Sequence, residues 1–352
     1  MQPCGCRGCA TCLQEMGTQY TYSGREAARC PVTDAEERSA GLEYMILNHE
    51  YISGLLKVRE EDSYKGTYGH ALVIAGSVGM MGAAILAAGG ALKSGCGLVT
   101  VHVPYSERLS IHLSHPSAIV ECDPGTSFSR VPGNLFRYRA AGIGCGLGQS
   151  QDSISALKAL LSRLGGSCRE ARDSADSERE TPGAVLDADA LNIIASHPEM
   201  FGTIPPGSIL TPHLGELSRL LSSAASYGIA GIRRDTGPDE RPWNSSRDMT
   251  LMVRSLAEAI GSVIVVKGPG TMVCPPDGML YFNATGNPGM AKGGSGDILT
   301  GLVTGLRARG YSPAEAAVLG VWFHGLAGDT AAEETGMESM NASDILRNIR
   351  IR

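Results

Sequence analysis

Ala71-Leu72-Val73-Ile74-Ala75-Gly76-Ser77-Val78-Gly79-Met80-Met81-Gly82-Ala83-Ala84 decides the fold. It opens a stretch, residues 71–92, that has no charged side chain and is long enough to suggest a membrane span. Gly76, Ser77, Gly79 and Gly82 break that reading. Residues 71–75 instead read as a buried parallel strand, and the remainder after the glycine turn as a helix. No membrane partner is expected.

Short apolar runs separated by helix-length segments continue downstream, at residues 97–103, 140–143, 184–186, 208–211, 263–266 and 271–273. Strands alternating with helices imply β–α–β units with right-handed crossovers, hence one doubly wound α/β domain. Two polar stretches, 165–182 and 222–248, read as surface insertions between elements. In such a sheet, ligands collect at the carboxyl ends of the strands. The glycine-rich motifs follow predicted strands, so they can converge on one rim.

The 352 residues include 46 glycines and few aromatics, a composition that suits an enzyme whose loops approach a ligand closely. A net charge of -6 argues against a surface for nucleic-acid phosphates, and no nucleic-acid partner is expected. The N-terminus shows no basic stretch leading into an apolar one, so the cytoplasm is the expected compartment. Five of the ten cysteines fall in the first thirty residues: Cys4, Cys6, Cys9, Cys12 and Cys30. Cys6, Cys9 and Cys12 have a ferredoxin-like spacing, with Cys30-Pro31 beyond, which could hold an iron–sulfur cluster or zinc. The surrounding chain lacks the rest of such a fold, and Met45 opens a segment that runs straight into the α/β pattern. Residues 1–44 are therefore expected to be an unstructured extension or a misassigned start, and residues 45–352 the folded domain.

Six segments carry candidate chemistry. Residues 75–84 and Gly142-Ile143-Gly144-Cys145-Gly146-Leu147-Gly148 each follow a strand and offer bare backbone to a ligand; the competing reading is a tight glycine turn. Asp187-Ala188-Asp189 stands at a strand end, where carboxylates bind Mg²⁺ through water or orient hydroxyls, or where Asp189 caps a helix. Thr211-Pro212-His213-Leu214-Gly215-Glu216 offers a His, which competes with the reading of a satisfied structural residue, and a Glu near a helix start, which competes with a capping role. Lys267-Gly268-Pro269-Gly270-Thr271 is a turn able to contact a nucleotide phosphate, or only a hairpin.

The strongest segment is Gly286-Asn287-Pro288-Gly289-Met290-Ala291-Lys292-Gly293-Gly294-Ser295-Gly296-Asp297. Four residues, Gly293 to Gly296, directly precede a helix and form an anion-binding nest, with N–H groups and the positive helix end directed at a phosphate. Asp297 follows in the first turn, where a carboxylate can take a proton from an attacking hydroxyl. Helix capping would explain one Asp, but not the glycines in front of it.

Gly-Ser-Gly-Asp opening a helix resembles the anion hole and catalytic base of the ribokinase-like superfamily. The longer string 286–297, with residues 75–84, 187–192, 211–216 and His324-Gly325-Leu326-Ala327-Gly328-Asp329, resembles the ADP-dependent NAD(P)H-hydrate dehydratases from about Leu47 to the C-terminus. The resemblance implies a three-layer α/β/α sandwich with a mostly parallel central sheet. It implies dehydration of NADH hydrate or NADPH hydrate with ADP as co-substrate, Mg²⁺ as cofactor, and release of AMP and phosphate. By motif position, Ala83, Gly146, His213 and Asp297 would contact the hydrate, with Asp297 the catalytic base. Lys267, Gly268, Pro269, Gly270 and Thr271, with Gly294, Ser295 and Gly296, would hold the nucleotide and the transferring charge. Metal ligands stay unassigned. The resemblance further implies a homo-oligomer, a tetramer, and an epimerase acting as a separate chain, since residues 1–44 are too short for that domain. Cys145 and Leu214 stand where the family often has proline, and Lys292 where it often has threonine. A small-molecule kinase acting on a hydroxymethylpyrimidine or hydroxyethylthiazole would use the same Asp and nest.

Overall fold

Side-chain alternation within each strand sorts the apolar residues into two cores, one on either face of a single sheet. The computed structural model describes residues 42–173, 182–233 and 241–352. In β2 (His70–Ile74), Leu72 and Ile74 enter one core while Ala71 and Val73 enter the other. The same division recurs in β6 (Gly183–Leu186) and β8 (Val263–Val266), so these strands are buried on both sides. Such two-sided burial is the signature of a parallel sheet covered by helices.

The remaining strands are β1 (Tyr44–Ile46), β3 (Leu98–Pro104), β4 (Ile119–Asp123), β5 (Ala140–Ile143), β7 (Ile209–Leu210), β9 (Met272–Cys274) and β10 (Leu280–Phe282). Their order across the sheet is β1-β10-β9-β8-β7-β6-β5-β2-β3-β4. Among the described residues only β9 runs against its neighbours; all other pairings are parallel. The helices are α1 (His49–Leu55), α2 (Met81–Lys93), α3 (Arg108–Ser114), α4 (Gln151–Asp173), α5 (Ala188–Ser196), α6 (Leu214–Tyr227), α7 (Ser246–Ile260), α8 (Ser295–Ala308), α9 (Pro313–Thr335) and α10 (Ala342–Asn348). Helices α4 to α7 cover one face. The other face is covered by α2 and α3 at one end and by α1, α8, α9 and α10 at the other. This is the expected three-layer sandwich.

From β2 the chain winds outward through β3 to β4, then returns to β5 and winds the other way through β6, β7 and β8. The reversal between β2 and β5 opens a crevice at their carboxyl ends, where a doubly wound sheet binds its ligand. Helices α2 and α8 meet backbone to backbone beside it. A Cβ on Gly301 would collide with the Ala87 carbonyl, and one on Gly90 with that of Ile298. Small residues at these positions let α8 lie where its first turn points into the crevice.

Residues 71–92 divide into β2 and α2, and no helix among the described residues is long and apolar enough to cross a membrane. Three strands were not anticipated. β1 and β10 have only three residues each, and β4 is an edge strand whose Ile119 and Cys122 are exposed and whose apolar pattern Glu121 interrupts. The polar stretch 165–182 is not an insertion from its start, because α4 continues through its first part to Asp173. Likewise α6 runs to Tyr227 before the left-handed Gly228 (φ 97°) ends it. The N-terminal cysteines lie outside the described residues.

Candidate active site

The two glycine-rich loops after β2 and β5 are joined directly. The Gly76 N–H donates to the Cys145 carbonyl at 2.8 Å, and the Ser77 hydroxyl to the Gly146 carbonyl at 3.0 Å. A Cβ on Gly146 would lie 2.9 Å from that of Ala83, so these two expected hydrate contacts are neighbours. Asp189 does not cap α5. Its carboxylate accepts the Gly148 N–H at 2.9 Å and the Gln149 amide at 3.1 Å, tying the second loop to the end of β6.

Asp187 begins α5 without capping it through its side chain. Its carboxylate instead bridges two elements: Lys267 Nζ donates to Oδ1 at 2.6 Å, and Thr300 Oγ1 on α8 donates to Oδ2 at 2.6 Å. Glu216 Oε2 stands 3.8 Å from the same ammonium. Burial works against the Lys267 charge, but Asp187 and Glu216 overcome it and hold its pKa above the ordinary lysine value. The turn that aims Asp187 is strained: Ala188 has φ 47°, the one non-glycine residue in the left-handed region among those described. Such strain at a polar cleft is a mark of a functional site.

At the start of α8, Gly294 adopts φ 93° as N-cap, a conformation that glycine alone takes without cost. The N–H groups of a first helical turn have no partner within the helix, and here they face the crevice rim. Of the three expected donors, Ser295 is partly spent, because its N–H bonds back to the Lys292 carbonyl at 3.4 Å. Lys267 Nζ would lie 3.3 Å from a Cβ on Gly296, which places a positive charge against this turn. Asp297 is half-buried beside it. Burial pushes its pKa up, and nearby Asp187 and Asp189 push the same way, while the Cys145 thiol and Lys267 oppose the shift. A carboxylate with a raised pKa is a better proton acceptor near neutral pH. Behind this turn His324 is buried, with Nε2 3.3 Å from Ser295 Oγ, and burial lowers its pKa to about 4.

His213 caps α6. Its Nδ1 accepts N–H groups from Gly215 (3.0 Å) and Glu216 (3.4 Å), and Glu216 completes a capping box through the His213 N–H at 2.8 Å. Accepting at Nδ1 leaves the proton on Nε2, and the side chain is 56% exposed at the rim. Residues 267–271 turn the antiparallel pair β8–β9, as a hairpin reading requires. Thr271 Oγ1 closes that turn on the Gly268 carbonyl at 2.9 Å, so of the two side chains only Lys267 reaches inward.

The first half of the 286–297 string is fastened to α9. Asp329 accepts the Gly286 N–H at 2.8 Å and the Asn287 amide at 3.0 Å, and Asn287 also donates to the Gly328 carbonyl at 2.9 Å. A Cβ on Gly328 would run into Met290. Lys292 turns away from the nest, donating to the carbonyls of Glu338 and Met340 at 2.6 Å each. Its ammonium is thus occupied away from the nest expected to meet phosphate.

Sequence reasoning placed Asp297, Lys267 and the loops on one rim but missed Thr300 as the second ligand of Asp187. The available signal was spacing: Thr300 is three residues beyond Asp297 and so on the same helix face. For Mg²⁺ there is no preformed cage, since no group of three or more His, Cys, Asp or Glu is poised to hold a metal among the described residues. Asp187, Glu216 and Asp297 nevertheless lie around a single ammonium, a donor set that suits a hydrated cation rather than a stripped one.

The family model describing NAD(P)H-hydrate dehydratase matches residues 71–350. The ADP-dependent (S)-NAD(P)H-hydrate dehydratase of Neisseria meningitidis is 33% identical over 287 residues, covering 80% of this chain and 84% of its own. The bifunctional NAD(P)H-hydrate repair enzyme of Moorella thermoacetica is 34% identical over 309 residues, covering 86% of this chain and 52% of its own. The chain thus spans about half the length of the bifunctional relatives it matches. Among solved structures, the ADP/ATP-dependent NAD(P)H-hydrate dehydratase of Bacillus subtilis, co-crystallised with ATP and Mg²⁺, superposes with a TM-score of 0.65 at 26% identity, covering 88% of this chain and 97% of its own. The crevice loops, the α8 nest and its carboxylate all fall inside the matched region, and the chain belongs to the NAD(P)H-hydrate dehydratase family.

Proposed function

We propose that the protein is a hydro-lyase that restores NADH or NADPH from the hydrated form, using ADP and releasing AMP and phosphate. The observation that carries this reading is Asp297, a half-buried carboxylate with a raised pKa at a helix start beside Lys267 and Cys145 of the second glycine loop. Hydroxide is a poor leaving group, and phosphorylating the hydroxyl makes it a good one. Asp297 takes the hydroxyl proton as the oxygen attacks the terminal phosphoryl group, and the bond to AMP breaks. The N–H groups of Gly294, Ser295 and Gly296 stabilise the transferring charge, with Lys267 beside them. The hydrate's C–O bond then breaks with its pair leaving on phosphate, and loss of a proton from the adjacent carbon restores the ring double bond.

Ala83, Gly146 and His213 line the hydrate side, and the 267–271 turn with Gly268, Pro269, Gly270 and Thr271 the adenine-nucleotide side. Asp187 and Glu216 would hold hydrated Mg²⁺ through its water shell, and the ion would offset the negative charge of the nucleotide phosphates. The family resemblance extends this proposal to a cytoplasmic homotetramer that works together with an epimerase activity. A kinase of the same superfamily would share the nest and the base, and family membership favours the dehydratase.

The test is to incubate the purified protein with NADH hydrate and either ADP or ATP while following the reduced-nicotinamide absorbance. Recovery with ADP is the expected result. No recovery with either nucleotide sinks the proposal.

A further inference from the structure

Beyond β4 the chain curls through residues 124–130 under the two glycine loops, and this curl is built around one buried carboxylate. Asp123 Oδ1 accepts the Gly125 N–H at 2.8 Å and the Ser129 hydroxyl at 2.5 Å. Its Oδ2 accepts the Ser129 N–H at 2.8 Å, the Arg130 N–H at 2.9 Å and His102 Nε2 at 3.0 Å. Three of the five partners are backbone N–H groups, which can only donate, and they face both oxygens, so the site suits an ionised carboxylate. These bonds and His102 hold the Asp123 pKa well below the usual range despite its burial. Phe128 of the same curl is buried and meets the His102 ring edge to face at 5.8 Å.

The curl touches both loops. The Thr126 carbonyl accepts the Val78 N–H at 2.9 Å, fixing the first loop. Ser153 Oγ lies 3.2 Å from Ser127 Oγ and 3.4 Å from the Leu147 carbonyl, linking the curl to the second. Nothing in it reaches Lys267, the 267–271 turn or α8 by any of these bonds.

We propose that Asp123 is a positioning residue for the hydrate side of the site alone: its carboxylate gathers residues 124–130 into a buttress that holds the two glycine loops at the spacing the hydrate requires. The proposal rests on the assignment of Ala83 and Gly146 to the hydrate. An amide at position 123 must point at least one N–H at a donor, which loosens the curl and with it Val78 and Leu147.

The test is steady-state kinetics of the full chain with each substrate varied in turn. Asp123→Asn should raise the KM for NADH hydrate about tenfold, the worth of one charge-assisted hydrogen bond, with the KM for ADP and kcat changed less than about twofold. Ser153→Ala should raise the hydrate KM in the same sense by about two- to threefold, and backbone amide exchange over residues 76–80 should quicken in both variants. Should Asp123→Asn fail to fold, Ser153→Ala decides alone. Equal rises in both KM values, or none in the hydrate KM, overturn the inference and leave Asp123 a structural residue. Ala83→Leu separates that outcome from a wrong site: if it raises the hydrate KM while Asp123→Asn does not, only the buttress is lost; if neither moves it, the assignment of the hydrate side is wrong.

Discussion

The two halves of the 286–297 string look alike in sequence and differ in what their polar groups face. In residues 286–290 the donors are consumed by α9, through Asp329 and the Gly328 carbonyl. In residues 293–297 the helix start faces the crevice, with Lys267 and Asp297 beside it. The first part of the string is thus fastened to the scaffold, and the second, which resembles the ribokinase-like motif, is the part to which the proposed chemistry falls. A signature can be specific because a loop must be fastened in one way.

The sharpest way to break this division is Asp297→Asn. Loss of the base should cost about 1,000-fold in turnover, with nucleotide affinity held within a few-fold and thermal stability not reduced, because a half-buried charge beside other carboxylates is removed. Near-full activity would end the assignment. In the parent, the ionised base is the active form, so kcat/KM should fall as pH drops through the raised Asp297 pKa, at a higher pH than an ordinary carboxylate would give.

His324 joins the halves, since it lies on α9 but supports Ser295. Its folded pKa of about 4 lies below the unfolded value near 6.5, so the unfolded chain binds the proton first. Stability should be fully present above about pH 6.5 and fall as pH drops toward 4, by roughly 3 kcal/mol from this group. Chemical denaturation across that range measures it, and His324→Gln should flatten the slope.

Asp329→Asn attacks the fastened half. It should lower stability by about 2 kcal/mol through the bonds to Gly286 and Asn287, the opposite pattern from Asp297→Asn. If it left the melting temperature unchanged and abolished turnover, the scaffold reading of residues 286–290 would be wrong. The smallest effect is expected outside both halves. Ala188→Gly should raise the urea midpoint by the equivalent of about 1 kcal/mol by relieving the left-handed alanine.

Much of the sheet was legible because β2, β5, β6 and β8 are buried on both faces and so read as continuous apolar runs. Edge position hid β4, and brevity hid β1 and β10. On the rim, Asp297 and its glycines were legible because nest and helix start are contiguous in sequence. Partnerships across the fold were not: Lys267 and Asp187 are 80 residues apart, and Thr300 is 113 residues from Asp187. Asp123 carried no signal, since an aspartate before Pro-Gly reads as an ordinary turn. His213 was legible as a residue of the rim, while its capping geometry needed coordinates.

Helix α2 begins at the first glycine loop and α8 at the proposed phosphate nest, and their backbones touch at Gly90 and Gly301. Whatever sits on one helix start is therefore held at a fixed separation from whatever sits on the other. For the proposed reaction, which joins a hydroxyl to a phosphoryl group, that contact would convert an encounter between two mobile partners into a step within one rigid frame, with the loss of translational and rotational freedom met at binding and not at the barrier.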